Sequence, residues 1–280
     1  MSSPTTAERG VEVAFVLGGG GVLGASEVGM LQALHAHGVR ADLVVGTSVG
    51  AINGALHAAA PDDTEQIARV WRSMSGSAVF GGSPGERLRH LARLPTALHG
   101  NQALRSLLEA RLDGLGFADL QVPFECCAAS IERAAEHWFT DGPLVEAILA
   151  SCAVPGLFPP VRVADEHYLD GGLVNSIPIA RAIERGARTV YVLQVGRVER
   201  PLTAPTRPWD VATVAFEIAR RHRFARDLAE VPDHVAVHVL PAGDPETPLA
   251  SLRYRSTAQV PRRIEQARVA TTAYLEQVAG

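Results

Sequence analysis

Val11-Glu12-Val13-Ala14-Phe15-Val16-Leu17-Gly18-Gly19-Gly20-Gly21-Val22-Leu23-Gly24 is a short, β-branched, mostly apolar run that stops abruptly in glycine. A run of this length closed by glycine reads as a buried strand, because a strand covered on both faces lacks regular polar alternation. Directly downstream, Ala25 to His37 places Val28, Leu31 and Leu34 on one helical face, with Gly38 as a C-terminal stop. Strand, glycine loop and helix in succession form the unit from which α/β sheets are assembled.

The unit recurs outward from this stretch. Asp42-Leu43-Val44-Val45 reads as a second strand and Ala51 to Ala60 as a helix of small residues able to lie close to a sheet. Pro61-Asp62-Asp63-Thr64 breaks that helix and starts another, through about Met74. Further on, Asn101 to Leu112 is helical, and Phe124 to Ile131 with His137 to Thr140 form a hairpin around Glu132 to Ala135. A helix over Leu144 to Ser151 leads into a proline-rich loop, Val154 to Pro160. Strands at Thr189 to Val195 and His234 to Leu240 flank a long helix over Pro208 to Glu230, and the last helix spans about Pro261 to Val278. Alternating strands and helices predict an α/β sheet covered on both faces and at least partly parallel. Residues 1–10 are expected to be a flexible N-terminus and 11–280 one domain, with 75–100 set apart as a candidate mobile cap or insertion.

Composition narrows the function classes. Of 280 residues, 47% are hydrophobic and 20% charged, enough apolar surface for one large core. The net charge of -4 provides no electrostatic footprint for nucleic acid. Every one of the 26 basic residues is arginine, which reads as coding bias. The polar N-terminus has no secretory pattern and no apolar stretch is long enough to span a bilayer, so a cytoplasmic location is expected, with peripheral contact at the inner face of the membrane as an extension. Cys126, Cys127 and Cys152 fit neither a disulfide framework nor a metal site and read as small buried hydrophobes.

Three glycine-bearing strings carry the chemistry. In Gly46-Thr47-Ser48-Val49-Gly50 a serine follows a strand and precedes a helix, the context of a nucleophile elbow, where Gly46 and Gly50 keep the tight turn uncrowded. An ordinary capped turn is the competing reading. The run Gly19-Gly20-Gly21-Val22-Leu23-Gly24 exposes consecutive N–H donors at a helix N-terminus, suited to an oxyanion. It also satisfies G-x-G-x-x-G, the dinucleotide fingerprint, but the second strand ends in a serine turn where that fold wants an acid for the ribose. The oxyanion reading is therefore preferred. In Asp170-Gly171-Gly172 two residues without side chains free a carboxylate for close approach to another group, against the commoner meaning of an Asp-Gly turn. None of the 10 histidines sits in a motif that points at Ser48, which leaves Asp170 as the candidate base.

These blocks, continuing through Gly24-Ala25-Ser26-Glu27-Val28-Gly29, Val49-Gly50-Ala51-Ile52-Asn53, Ala150 to Pro160 and Leu169 to Pro178, resemble the patatin-like phospholipases over most of the chain. The resemblance implies a three-layer α/β/α fold with a mainly parallel central sheet. It also implies a Ser–Asp dyad of Ser48 as nucleophile and Asp170 as proton acceptor, with the amides of Gly19, Gly20 and Gly21 as oxyanion hole. Gly24, Gly46, Gly50, Gly171 and Gly172 support these motifs. The implied activity is hydrolysis of fatty-acyl esters of lipids, with no metal and no cofactor. One departure stands out. The family commonly carries arginine or lysine just before the last glycine of the loop, where this chain has Leu23, so a cationic contribution to the site is lost while the backbone donors remain.

Two further readings compete: a catalytically weak lipid or acyl-chain binder, and a nucleotide-dependent or acyl-transfer enzyme on the same loop. The arginine-rich stretches Arg87 to Leu94 and Arg220 to Arg226 are read first as solvated helix faces, with contact to an anionic lipid surface as the alternative.

Overall fold

The computed structural model describes residues 10–74, 97, 99–112, 114–195, 201–206, 208–243 and 259–279. An eight-stranded sheet runs in the order β5-β6-β3-β2-β1-β7-β8, with β4 pairing β3 in addition. The strands are β1 (Val13–Leu17), β2 (Leu43–Thr47), β3 (Phe124–Ser130), β4 (Ala135–Phe139), β5 (Val161–Val163), β6 (Glu166–Asp170), β7 (Thr189–Leu193) and β8 (Ala236–Val239). The helices are α1 (Ala25–Ala36), α2 (Val49–Ala59), α3 (Thr64–Met74), α4 (Gln102–Leu112), α5 (Leu144–Ser151), α6 (Ile179–Glu184), α7 (Pro208–Ala229) and α8 (Val260–Ala279). The 75–96 part of the expected cap lies outside the described residues.

The strands β3, β2, β1, β7 and β8 are parallel, and β4, β5 and β6 add antiparallel pairings at one side. Strand order reverses direction between β1 and β7, the kind of switch point at whose carboxyl ends α/β folds bind ligands. Alternation along β1 divides the core. Phe15 and Leu17 join α1, α2, α3, α5 and α8 in one apolar layer, whereas Ala14 and Val16 meet Ile179 and Ala182 of α6 and Phe224 of α7 in the other. The result is helices on both faces of one sheet, as the sequence predicts. On the outer layer, α1 approaches α8 so closely that a methyl group on Gly29 would overlap the Ile264 carbonyl.

One register detail places the site. β4 pairs with Cys126 to Ser130 of β3 and so occupies one edge along this whole length. β2 pairs with β3 up to Thr47↔Cys127, and β6 begins at Asp170↔Ala128, so both must lie on the other edge. β2 is parallel to β3 and β6 antiparallel. Their C-terminal ends therefore meet head to head, which brings the residue after Thr47 beside Asp170.

Candidate active site

Ser48 sits between β2 and α2 with φ of 56° and ψ of -124°. A left-handed φ on a residue with a Cβ costs about 1–3 kcal/mol and persists only where the surroundings hold it. They do so through the end of α5. The Ser48 N–H donates to Ser151 Oγ at 2.9 Å, and Cys152 Sγ lies 3.1 Å from the Ser48 carbonyl oxygen. The next residue completes the clamp: the Ala153 carbonyl accepts the Asp170 N–H at 2.9 Å. Three consecutive residues thus hold both members of the pair. Gly50 is required by close approach, since a methyl there would overlap the Leu17 carbonyl at the end of β1. Gly46 lies directly under the Gly50 and Ala51 backbone, so elbow, helix and glycine loop pack as one piece.

The Ser48 hydroxyl donates to Asp170 Oδ2 at 2.6 Å, across 122 positions of sequence. Asp170 Oδ1 accepts the Gly172 N–H at 2.7 Å. Gly171 lies against the Cys127 carbonyl, and Gly172 against Phe216 of α7. Both groups are nearly enclosed, with Ser48 8% and Asp170 2% exposed. Burial pushes the Asp170 carboxyl up from 3.8 to about 6, against the opposing pull of the hydrogen bonds from Ser48 and Gly172. A carboxylate in that range is still about nine-tenths ionised at pH 7 and accepts a proton more readily than a solvated one. Sequence alone leaves open how an aspartate of ordinary acidity serves as a base. Burial makes this carboxylate a stronger proton acceptor than a solvated aspartate.

Of the glycine loop, Gly18 donates to the Leu193 carbonyl at 3.0 Å and Gly19 to the Ser176 carbonyl at 2.9 Å. The Gly19 amide is therefore committed to holding the loop, a correction to its expected place among the oxyanion donors. Gly20 and Gly21 follow at the turn into α1, where Gly21 has φ of 56°. Gly24 packs on Val49 and Trp71, side by side with the elbow helix.

The partners of several residues of this site are not visible in the sequence. The Asn53 amide donates to Glu27 Oε2 at 2.7 Å and to the Gly24 carbonyl at 2.9 Å, and its Oδ1 accepts the Trp71 indole N–H at 2.8 Å. This buried network fastens the glycine loop to the helix that carries Ser48. Burial pushes the Glu27 carboxyl well above the usual carboxylate range. An acid inside an otherwise small and apolar helix face is the one available hint. Thr47 Oγ1 adds a bond of 2.8 Å to the Asn175 carbonyl, tying β2 to the segment after Asp170. Arg220 corrects the reading of Arg220 to Arg226 as a solvated face: it is 5% exposed, whereas Arg223 pairs with Asp227 and Arg226 faces solvent. The stretch Arg87 to Leu94 lies outside the described residues.

All three cysteines are buried and free, and burial raises each thiol above its ordinary value. Among the described residues no group of His, Cys, Asp and Glu has the arrangement of a metal site, and no helix is long and apolar enough to cross a membrane.

Fold and site together define an α/β protein with a buried serine–aspartate pair at the carboxyl ends of its parallel strands, beside a glycine loop. The chain belongs to the patatin-like phospholipase family, whose model matches residues 15–183. Among curated relatives, human "Patatin-like phospholipase domain-containing protein 6" is 34% identical over 191 residues, 67% of this chain and 14% of that protein. "Lysophospholipase NTE1" of Eremothecium gossypii is 29% identical over 194 residues, 68% of this chain and 12% of that protein. The chain thus corresponds to a small part of the length of these relatives. VipD from Legionella pneumophila, a solved structure, aligns with 96% of this chain and 67% of its own at 14% identity and a TM-score of 0.47.

Proposed function

We propose that the chain is a serine acyl hydrolase that cleaves fatty-acyl esters of lipids through Ser48 and Asp170. The observation that carries the reading is the 2.6 Å bond from a buried serine hydroxyl, on a strained turn, to a buried carboxylate of raised pKa. A capped turn explains none of these three features. Membership of the family and the name of the lysophospholipase relative support the substrate class.

In the forward step Ser48 Oγ attacks the ester carbonyl carbon while its proton passes to Asp170 Oδ2. The tetrahedral oxyanion sits against the amides of Gly20 and Gly21, at the start of the 3-10 turn Gly21–Gly24 that leads into α1. Collapse expels the alcohol, which takes the proton from Asp170, and leaves an acyl-Ser48. Water then attacks the acyl carbon and gives a proton to Asp170. Collapse of this second intermediate returns the proton to Ser48 Oγ and releases the fatty acid. No residue outside the pair is needed to move a proton.

The test compares wild type with Ser48→Ala on p-nitrophenyl esters of increasing chain length and on lysophospholipids. Loss of hydrolysis in a folded Ser48→Ala protein is expected. Retention of full activity overturns the assignment.

A further inference from the structure

Arg220 presents a puzzle that the proposed mechanism leaves unused. It is a guanidinium buried to 5% exposure, beside the segments that border the glycine loop. Enclosing a charge this fully costs several kcal/mol unless its surroundings compensate. Its partners are nearly all neutral. Nε donates to Ser176 Oγ at 3.1 Å, and Nη2 donates to the Val195 carbonyl at 2.9 Å and approaches Gln194 Oε1 at 3.4 Å. The nearest acid is Glu217, one turn back on α7, at 3.5 Å from Nη1.

Each of these contacts lies against the glycine loop. Ser176 holds the loop with its carbonyl, which accepts the Gly19 amide, and its hydroxyl fills the space beside Gly19 Cα where a side chain would be. The same space is bounded by the Ser48 side chain. Val195, whose carbonyl Arg220 grips, packs its own side chain where a methyl on Gly20 would project. One planar group therefore fastens the two segments that flank Gly19 and Gly20.

We propose that Arg220 is a positioning residue for this glycine loop: by gripping Ser176 and Val195 from α7 it sets the amide of Gly20 in line with Ser48. The assignment rests on reading the site as an acyl hydrolase. It involves α7, which lies beyond the residues 15–183 that match the family model. Only arginine fits such a task, because a fixed fork of donors reaches two chain segments at once, which a single ammonium does not.

The experiment measures kcat and KM for a short-chain p-nitrophenyl ester, per active site counted by titration, in wild type, Arg220→Met, Arg220→Lys and Ser176→Ala. Misplacing an oxyanion donor by a fraction of an ångström is expected to lower kcat roughly 10- to 100-fold, because loop and nucleophile lose alignment. KM is expected to stay within about threefold, since the effect falls on the transition state. Arg220→Lys is expected to recover only part of the loss, and Ser176→Ala, which cuts one link, to cost less than Arg220→Met and to add little on top of it. A purely structural arginine predicts a lower melting temperature with kcat per active site within threefold of wild type, and that result overturns the proposal. If Arg220→Met is recovered unfolded, Ser176→Ala decides: a kcat unchanged with an unchanged melting temperature overturns it. A wild type without Ser48-dependent hydrolysis refutes instead the functional reading on which the inference rests.

Discussion

Replacing Asp170 by asparagine separates catalysis from stability, and the structure gives both signs. The two side chains are nearly the same size, and the new amide oxygen still accepts the Gly172 N–H, as Asp170 Oδ1 does at 2.7 Å. The proton acceptor for Ser48, 2.6 Å away, is lost. General-base assistance is worth about 10²–10⁴ in rate, so kcat is expected to fall by that factor with a smaller change in KM. Stability moves the other way. Holding the carboxyl at about 6 rather than 3.8 corresponds to about 3 kcal/mol against its ionised form in the folded state. The folded protein binds this proton more tightly than the unfolded chain, so the penalty is absent below about pH 3.8, grows through the interval to about pH 6 and is full above it. Asp170→Asn, which carries no charge, is expected to be more stable than wild type by up to about 3 kcal/mol at pH 7.5 and equal to it near pH 4. At on the order of 2–4 °C in Tm per kcal/mol for a chain of this size, the gain is several degrees. Thermal or urea unfolding of both proteins across pH 4–8 measures it. A variant less stable than wild type at pH 7.5, or a gap that does not change with pH, refutes the account of a buried, reluctantly ionised base.

Other consequences follow from the same geometry. The pH profile of kcat/KM is expected to have an ascending limb with a midpoint near 6, lost in Asp170→Asn, because only the ionised carboxylate accepts the Ser48 proton. Asn53→Ala strands Glu27 Oε2 and the Trp71 indole N–H, and at about 1–3 kcal/mol for each buried group left unpaired it should cost roughly 2–6 kcal/mol in urea unfolding. Gly50→Ala drives a methyl into the Leu17 carbonyl, where no flexible side chain can yield, and is expected to lower Tm and activity together by more than the roughly 1–3 kcal/mol typical of an overpacked core. Cys126, Cys127 and Cys152 should react with a thiol reagent only on the timescale of unfolding, since burial keeps them as thiols. Fast labelling of the native protein contradicts that placement.

What is legible in the sequence is local. Glycine at Gly18 and Gly46, small residues in α2 and the apolar runs of β1, β2 and β7 specify strand–turn–helix units, because their requirements act over a few residues. The helix expected over Leu144 to Ser151 has those bounds in the structure. The short strand β5 lies just after the proline-rich loop, and the sequence marks no strand there. It is three residues long and owes its existence to pairing with β6. The pair Ser48 and Asp170 is legible as two motifs, but their meeting depends on β2 and β6 sharing one edge of β3, a tertiary fact with no local signature. Long-range polar partners are the least visible. Arg220, one of four arginines within Arg220 to Arg226, looks in sequence like the others, and only packing against Ser176 and Val195 tells it apart.

The central claim is that a single hydroxyl becomes covalently acylated. Incubating the folded protein with a fluorophosphonate and mapping the adduct by peptide mass spectrometry tests it directly. The account expects one label per chain, on Ser48, absent in Ser48→Ala and formed much more slowly in Asp170→Asn. Modification of a different residue, or an unlabelled Ser48 in a protein that nonetheless hydrolyses lipid esters, contradicts it.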